Sequence, residues 1–428
     1  MQVKLAYGKS GLGLTLPDDA DVSVIESQYV ASVDDPVAAL RDALQNSIDS
    51  PPLRELVSSG DTVAVVFSDI TRPTPNHLIL PAILQELDHI PVANIVLCNA
   101  LGTHRPNTPE ELSKMLGAEL LQRYRIEQND AADQSTQVYI GTTARGHEVW
   151  VNRVYMQADV KILSGFIEPH FFAGFSGGGK AAMPGMAGQQ TVFGNHDAGM
   201  IGNSNSTWGV TAGNPIWEEA REAALMTNPA FLLNVSLNSD KQITGVFAGK
   251  LEAAHDAGIE FVRQTAMIPV DQLFDIVITT NSGYPLDMNL YQAVKGMSAA
   301  EGIVREGGAI IIASECLDGI PEHGLYGQLL RSASTPAALF DAILQAKETR
   351  QDQWQAQIQA RIQQRADVYV YSDYLSDQQI REALLIPCRD IAATIAELRA
   401  KYGQNARIGI LPDGPQTVAY HRERVAVR

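Results

Sequence analysis

The sequence predicts an α/β protein of two domains with mostly parallel sheets. Short apolar runs alternate with longer helical patterns along the chain, and 428 residues exceed what one ordinary core holds. Hydrophobic residues form 45 % and charged residues 19 % of the chain, the composition of a folded globular protein.

In chain order, strands are expected over 62–67, 94–99, 137–141, 160–166, 276–280, 309–313, 368–371 and 407–411. After the first, Thr74-Pro75 supplies an N-cap and a first-turn proline for a helix running through Leu87. After the second, Thr108-Pro109-Glu110-Glu111 reads as a capping box, with Gly117 as the stop. Residues 168–213 are dense in Gly, Ser, Asn and His without a sustained period, which reads as a long ordered functional loop region. A boundary near 266–272 gives domains 1–268 and 269–405, with 406–428 a candidate return to the first. The Gln-rich run 351–364 has a helical pattern and is expected to be solvated.

The net charge of −17, with Lys and Arg scattered, argues against nucleic acid or a membrane surface as partner. No apolar run reaches bilayer length, and the chain's start does not read as a signal core. Cys98, Cys316 and Cys388 are widely spaced and form no CxxC pair, so a reducing, cytoplasmic setting is expected. An acidic chain still binds a small anion where a few cations converge on one pocket.

Gly174 to Lys180 matches the start of a phosphate-cradling loop, but Ala181 stands where a nucleotide hydrolase needs a hydroxyl for magnesium, and Pro184 would cut the following helix. What remains is a lysine on a closely approachable backbone. His104, His170 and His196 each lie in loops beside Gly or Pro, without zinc-site spacing. The other six histidines, His77, His89 and His421 among them, read as surface or capping residues. Asp69, Ile70, Thr71 and Arg72 form a loop suited to an anion. Tyr291, Gln292 and Lys295 follow another Gly- and Pro-bearing loop. Taken singly, Arg72 could pair with Asp69 and Lys295 could be solvated; their joint occurrence with the histidine loops favours an anion pocket. Phe171, Phe172 and Cys98 read as packing residues, and Asp197 as either a cap or an orienting neighbour of His196.

The segments SDITRPTP (68–75), LGTHRP (101–106), EPHFFAGFSGGGK (168–180) with MPG after it, FGNHD (193–197) and YQAVKG (291–296) occur together and in order. In this the chain resembles the nickel-dependent lactate racemase family, from about residue 60 to about residue 300. The resemblance implies two α/β domains with the active site in the cleft between them. It implies a nickel-pincer cofactor, pyridinium-3,5-bisthiocarboxylic acid mononucleotide, attached to Lys180 through a thioamide, with His196 as the protein ligand to nickel. His104 and His170 would be the acid–base pair. Asp69, Ile70, Thr71 and Arg72 would contact the cofactor, and Arg72, Tyr291, Gln292 and Lys295 the substrate.

The expected activity is inversion at C2 of a small 2-hydroxy acid, lactate by default, by reversible hydride transfer. Malate, larger aliphatic or aromatic hydroxy acids and aldonic acids are the alternatives, and cofactor-biosynthesis enzymes are the expected partners. The Cα–H of an ionised hydroxy acid is a poor acid, whereas removing hydride while a base takes the hydroxyl proton gives a ketone; hydride chemistry belongs to a cofactor. Attack on both faces calls for two acid–base groups. The Gly8–Gly13 region lacks the dinucleotide fingerprint that opens a helix, so a conventional nicotinamide site is not expected. The rival readings are a nucleotide-dependent phosphate-transfer protein and a cofactor carrier without turnover; the latter needs Lys180 and His196 but neither His104 nor His170.

Overall fold

The computed structural model describes residues 1–322 and 324–422. The chain forms two compact units. Tyr29–Asn195 and Thr211–Gln264 make one; Met1–Gln28, His196–Val210 and the chain from Thr265 make the other.

The first unit is built on six strands in the order Ile243–Gly249, Phe231–Leu237, Val160–Phe166, Val63–Ser68, Ile95–Ala100, Arg125–Gln128. All neighbours are parallel except the first pair. The central strands are apolar on both faces because both are covered. Val63, Val65 and Phe67 face a core with Leu40, Leu80 and Ile83, whereas Ala64 and Val66 face Tyr155, Met186, Ala223 and Leu251. Each large aliphatic side chain so buried contributes roughly 1.5–3 kcal/mol, which fixes the register of these strands and the start of the loops that follow them.

Strand 137–141 is present, as Gln137–Thr142, but it pairs antiparallel with Glu148–Asn152 outside the main sheet. Phe231–Leu237 and Ile243–Gly249 lie outside the expected strands; Asn234 and Ser236 interrupt the apolar run of the first. Thr108 forms the expected capping box and Gly117, at φ 80°, ends Pro109–Leu116. Thr74 does not cap the helix Asn76–Glu86: Pro75 takes the cap position without a side-chain bond, and the Asn76 amide donates to the Ser68 carbonyl.

The second unit has an all-parallel sheet in the order Ile386–Pro387, Ala366–Tyr371, Val304–Ala313, Phe274–Thr280, Arg407–Leu411, Asp21–Val24. The division therefore differs from one made after residue 268. Asp21–Val24 joins Arg407–Leu411, and the hairpin of Gln2–Leu5 with Leu12–Thr15 packs Leu5 and Leu14 onto Ile276 and Ile408. Arg407–Leu411 and Val418–His421 pair within this unit rather than returning to the first, and residues 423–428 lie outside the described residues. A strand joins whichever edge can complete its hydrogen bonds, and edges exist only in three dimensions.

The Gln-rich run corrects a second expectation. It forms the helix Gln353–Arg365, and Gln353, Gln355, Gln357 and Gln359 are buried. Three of these amides reach distant carbonyls: Gln355 donates to Tyr291, Gln357 to Ala198 and Gln359 to Ala383. A glutamine is tolerated inside when its amide is paired, and these partners are remote in sequence. Among the described residues no helix is long and apolar enough to cross a membrane.

Candidate active site

Three of the expected loops leave the same edge of the first unit's sheet, because they follow three adjacent parallel strands. Val63–Ser68 leads into Asp69, Ile95–Ala100 into His104, and Val160–Phe166 into the loop that ends at Lys180.

Asp69 is 2 % exposed and accepts the Nδ1–H of His104 at 2.9 Å and the Thr71 hydroxyl at 2.9 and 3.0 Å. Burial alone would raise its carboxyl, but His104, Arg72 and Thr71 together hold it below the usual carboxylate range. An ionised carboxylate only accepts, so Nδ1 is the protonated nitrogen of His104 and Nε2 carries the lone pair of the neutral ring. Arg72 is exposed and its Nη1 donates to Thr71 Oγ1 at 3.2 Å; it acts on Asp69 through its charge and through Thr71. Ile70 packs against the core.

His170 stacks on Phe171 at 5.1 Å and meets the edge of Phe172 at 4.5 Å, both phenylalanines being buried. Its Nδ1 accepts the amide N–H of Ala173 at 3.2 Å. The neutral ring therefore carries its proton on Nε2, the tautomer opposite to that of His104.

The Lys180 loop lies against the His104 loop: Gly102 N–H donates to the Gly185 carbonyl at 2.9 Å. Lys180 Nζ stands 5.7 Å from the centre of the Phe172 ring, so Lys180 and His170 share a neighbour. Although the residue keeps some surface, packed protein around its amine disfavours the ammonium, and the Arg72 charge adds to this. The amine is pushed down to about 7. A large share of it is then the free nucleophile at neutral pH. The turn Gly178–Ala181 is not continued, and the next helix starts only at Gln189. The phosphate-transfer reading thus lacks the helix N-terminus it needs.

In the second unit, Tyr291, Gln292 and Lys295 lie at the start of the helix Leu290–Glu301, capped by Asn289. Gln292 and Lys295, three residues apart, share a face. Trp354 donates its indole N–H to the Tyr291 hydroxyl at 3.2 Å, and its ring meets that of His196 edge-on at 5.3 Å. His196 is 5 % exposed, and Asp197 caps Ala198–Gly202 by accepting the Met200 N–H. The expected residues thus fall into two sets. Asp69, Ile70, Thr71, Arg72, His104, His170 and Lys180 belong to the first unit, and His196, Tyr291, Gln292 and Lys295 to the second. Among the described residues no cluster of three or more His, Cys, Asp or Glu suited to a metal occurs.

Sequence reading missed several residues around these sets. His255, expected at the surface or in a cap, is buried beneath the glycine run, and His147, a quarter exposed, donates its Nδ1–H to the buried Glu219 at 2.8 Å. His323 lies outside the described residues. Trp354 stands alone among glutamines, a signal that could have marked it.

Residues 7–209 match the family model of the lactate racemase N-terminal domain, and residues 270–419 that of the lactate racemase C-terminal domain. The lactate racemase of Thermoanaerobacterium thermosaccharolyticum is 35 % identical over 97 % of this chain and 98 % of its own. That of Lactiplantibacillus plantarum is 38 % identical over 87 % of this chain and 88 % of its own. The solved apoprotein of the Thermoanaerobacterium lactate racemase superposes with a TM-score of 0.92, at 34 % identity, covering 98 % of this chain and 100 % of that one. A Thermotoga maritima protein, at 18 % identity and a TM-score of 0.69, covering 91 % of this chain and 100 % of its own, shares the fold. With both domains matched across most of its length, the chain belongs to the lactate racemase family of isomerases.

Proposed function

We propose that this chain racemises lactate with a nickel-pincer pyridinium mononucleotide attached to Lys180. One observation carries the reading: a lysine amine pushed down to about 7 shares a sheet edge with the Asp69–His104 pair. The residues fit such a group. Lys180 offers a free amine for a thioamide, Arg72 an exposed cation for a phosphate, and His196 an imidazole, a suitable nickel ligand. Held by these residues, such a group would supply a reversible hydride acceptor for C2.

The rest of the chemistry falls to the chain. His104, with Nδ1–H fixed on Asp69, offers Nε2 to take the hydroxyl proton. His170 is the second acid–base group; its Nδ1 accepts a backbone amide in the unloaded chain, and once protonated to the imidazolium it would give a proton to the ketone oxygen. Turnover needs one ring neutral and the other protonated, and each inversion exchanges those two states between His104 and His170. Arg72 and Lys295 supply positive charge for the carboxylate, with Tyr291 and Gln292 beside Lys295. The reducing cytoplasm is the proposed setting, supported by three separate buried thiols, and the cofactor-making enzymes are the proposed partners.

The test is expression in a cofactor-producing strain, with intact mass, nickel content and racemisation measured on one sample. An adduct on Lys180, about one nickel per chain and conversion of L-lactate to the racemate are expected. An unmodified mass with no nickel, from a strain shown to make the cofactor, would refute the mechanism.

A further inference from the structure

The backbone that carries Lys180 contains three consecutive glycines, two of them left-handed: Gly177 at φ 75° and Gly178 at φ 54°. Glycines lose more freedom on ordering than other residues, so a run of them stays ordered only when something outside holds it. Two buried side chains outside every sequence motif do this. Asn234, on Phe231–Leu237, accepts the Gly178 N–H on Oδ1 at 2.7 Å. His255, on Leu251–Ala266, donates its Nε2–H to the Ser176 carbonyl at 3.0 Å. Asn234 is 0 % and His255 3 % exposed, and both belong to the unit that contains Lys180.

The fit leaves no slack. A Cβ on Gly178 would come within 2.1 Å of the His255 ring, and one on Gly177 within 2.6 Å of Asn234 Oδ1. From below, Ala220 and Ala224 back Gly179. Ser176 closes the start of the loop by accepting the Glu168 N–H and donating to the Phe166 carbonyl. Burial pushes His255 down to about 4, which keeps it neutral and adds no like charge near Lys180.

We infer that His255 and Asn234 are positioning residues for Lys180. Together they set the loop 176–180 before any cofactor arrives, so that the unloaded chain already presents its amine as an acyl acceptor. This rests on the role proposed for Lys180, but it concerns the unloaded protein and is tested there. An ordinary packing role for the two side chains predicts altered stability; a positioning role predicts altered reactivity at one amine.

The experiment treats unloaded protein with limiting acetic anhydride near about pH 7.5 and measures acetylation at each lysine by peptide mass spectrometry, with the exposed Lys241 as internal reference. In that reaction the amine nitrogen attacks a carbonyl, acetate leaves, and the proton passes to solvent. Folding is checked by circular dichroism and thermal melting. His255→Leu and Asn234→Leu are expected to lower acetylation of Lys180 relative to Lys241 by about tenfold or more. His255→Gln, which keeps an N–H for Ser176, is expected to retain most of it. Unchanged Lys180 reactivity in both folded leucine variants overturns the inference. If neither variant folds, amide exchange in the wild-type protein decides: a protected Gly178 N–H supports a preset loop, and exchange at unstructured rates overturns it. A failure of the proposed function reads differently, as loaded wild-type protein without an adduct on Lys180.

Discussion

Replacing Asp69 by Asn isolates what the buried carboxylate does for His104. The geometry barely changes, since Asn is isosteric and Asp69 is 2 % exposed and accepts three hydrogen bonds from its surroundings: one from His104 at 2.9 Å and two from Thr71 at 2.9 and 3.0 Å. Two effects follow. A hydrogen bond to a charged acceptor is worth about 1 kcal/mol more than one to a neutral acceptor. The His104 side chain is 41 % exposed, so water screens part of this. In addition, the Asn amide must turn its NH2 toward either Thr71 or His104. When it faces His104, it favours the tautomer with the proton on Nε2 and removes the lone pair proposed to take the hydroxyl proton, at a cost of about 1 kcal/mol more. The sum, about 2 kcal/mol, corresponds to a racemisation rate about thirtyfold lower. The assay is the initial rate of D-lactate formation from L-lactate by chiral chromatography, divided by cofactor occupancy from intact mass. Occupancy is expected to hold. A rate per loaded chain within about twofold of wild type would refute the idea that Asp69 sets the His104 tautomer.

Other substitutions probe separate parts of the structure. Lys180 has a folded pKa below its unfolded one, so the unfolded chain binds more protons between about 7 and the ordinary lysine value, and unloaded protein should gain stability as pH rises through that window. Lys180→Met should remove this dependence and stabilise the unloaded protein near pH 7 by on the order of 1 kcal/mol or more, seen as a higher melting temperature; a lower one counts against a strained amine. Gln359→Leu strands the Ala383 carbonyl and the Tyr326 hydroxyl, which should cost about 2 kcal/mol in denaturant titration, whereas a solvated glutamine would cost under about 0.5 kcal/mol. Gly178→Ala drives a methyl group into the His255 ring from a left-handed backbone, and the adduct proposed on Lys180 should fall several-fold in intact mass. Thr108→Ala removes a capping box at an exposed helix end and should cost about 1 kcal/mol without changing the rate.

By itself, the sequence determined the parallel α/β class, through apolar runs such as Val160–Phe166 that are buried on both faces, and the capped start of Pro109–Leu116. Those signals are local: period, capping and turn chemistry depend on neighbours a few residues away. The loops at Asp69, His104, His170 and Lys180 were legible for the same reason, since Gly, Pro and isolated cations mark them along the chain. Tertiary structure alone decided that Asp21–Val24 belongs beside Arg407–Leu411, and that a glutamine-rich helix is internal. It alone gave His104 and His170 opposite tautomers, and placed Asn234 and His255 beneath the lysine loop. A strand edge, a buried amide and a ring nitrogen each take their meaning from a partner, and here those partners lie between three and several hundred residues away.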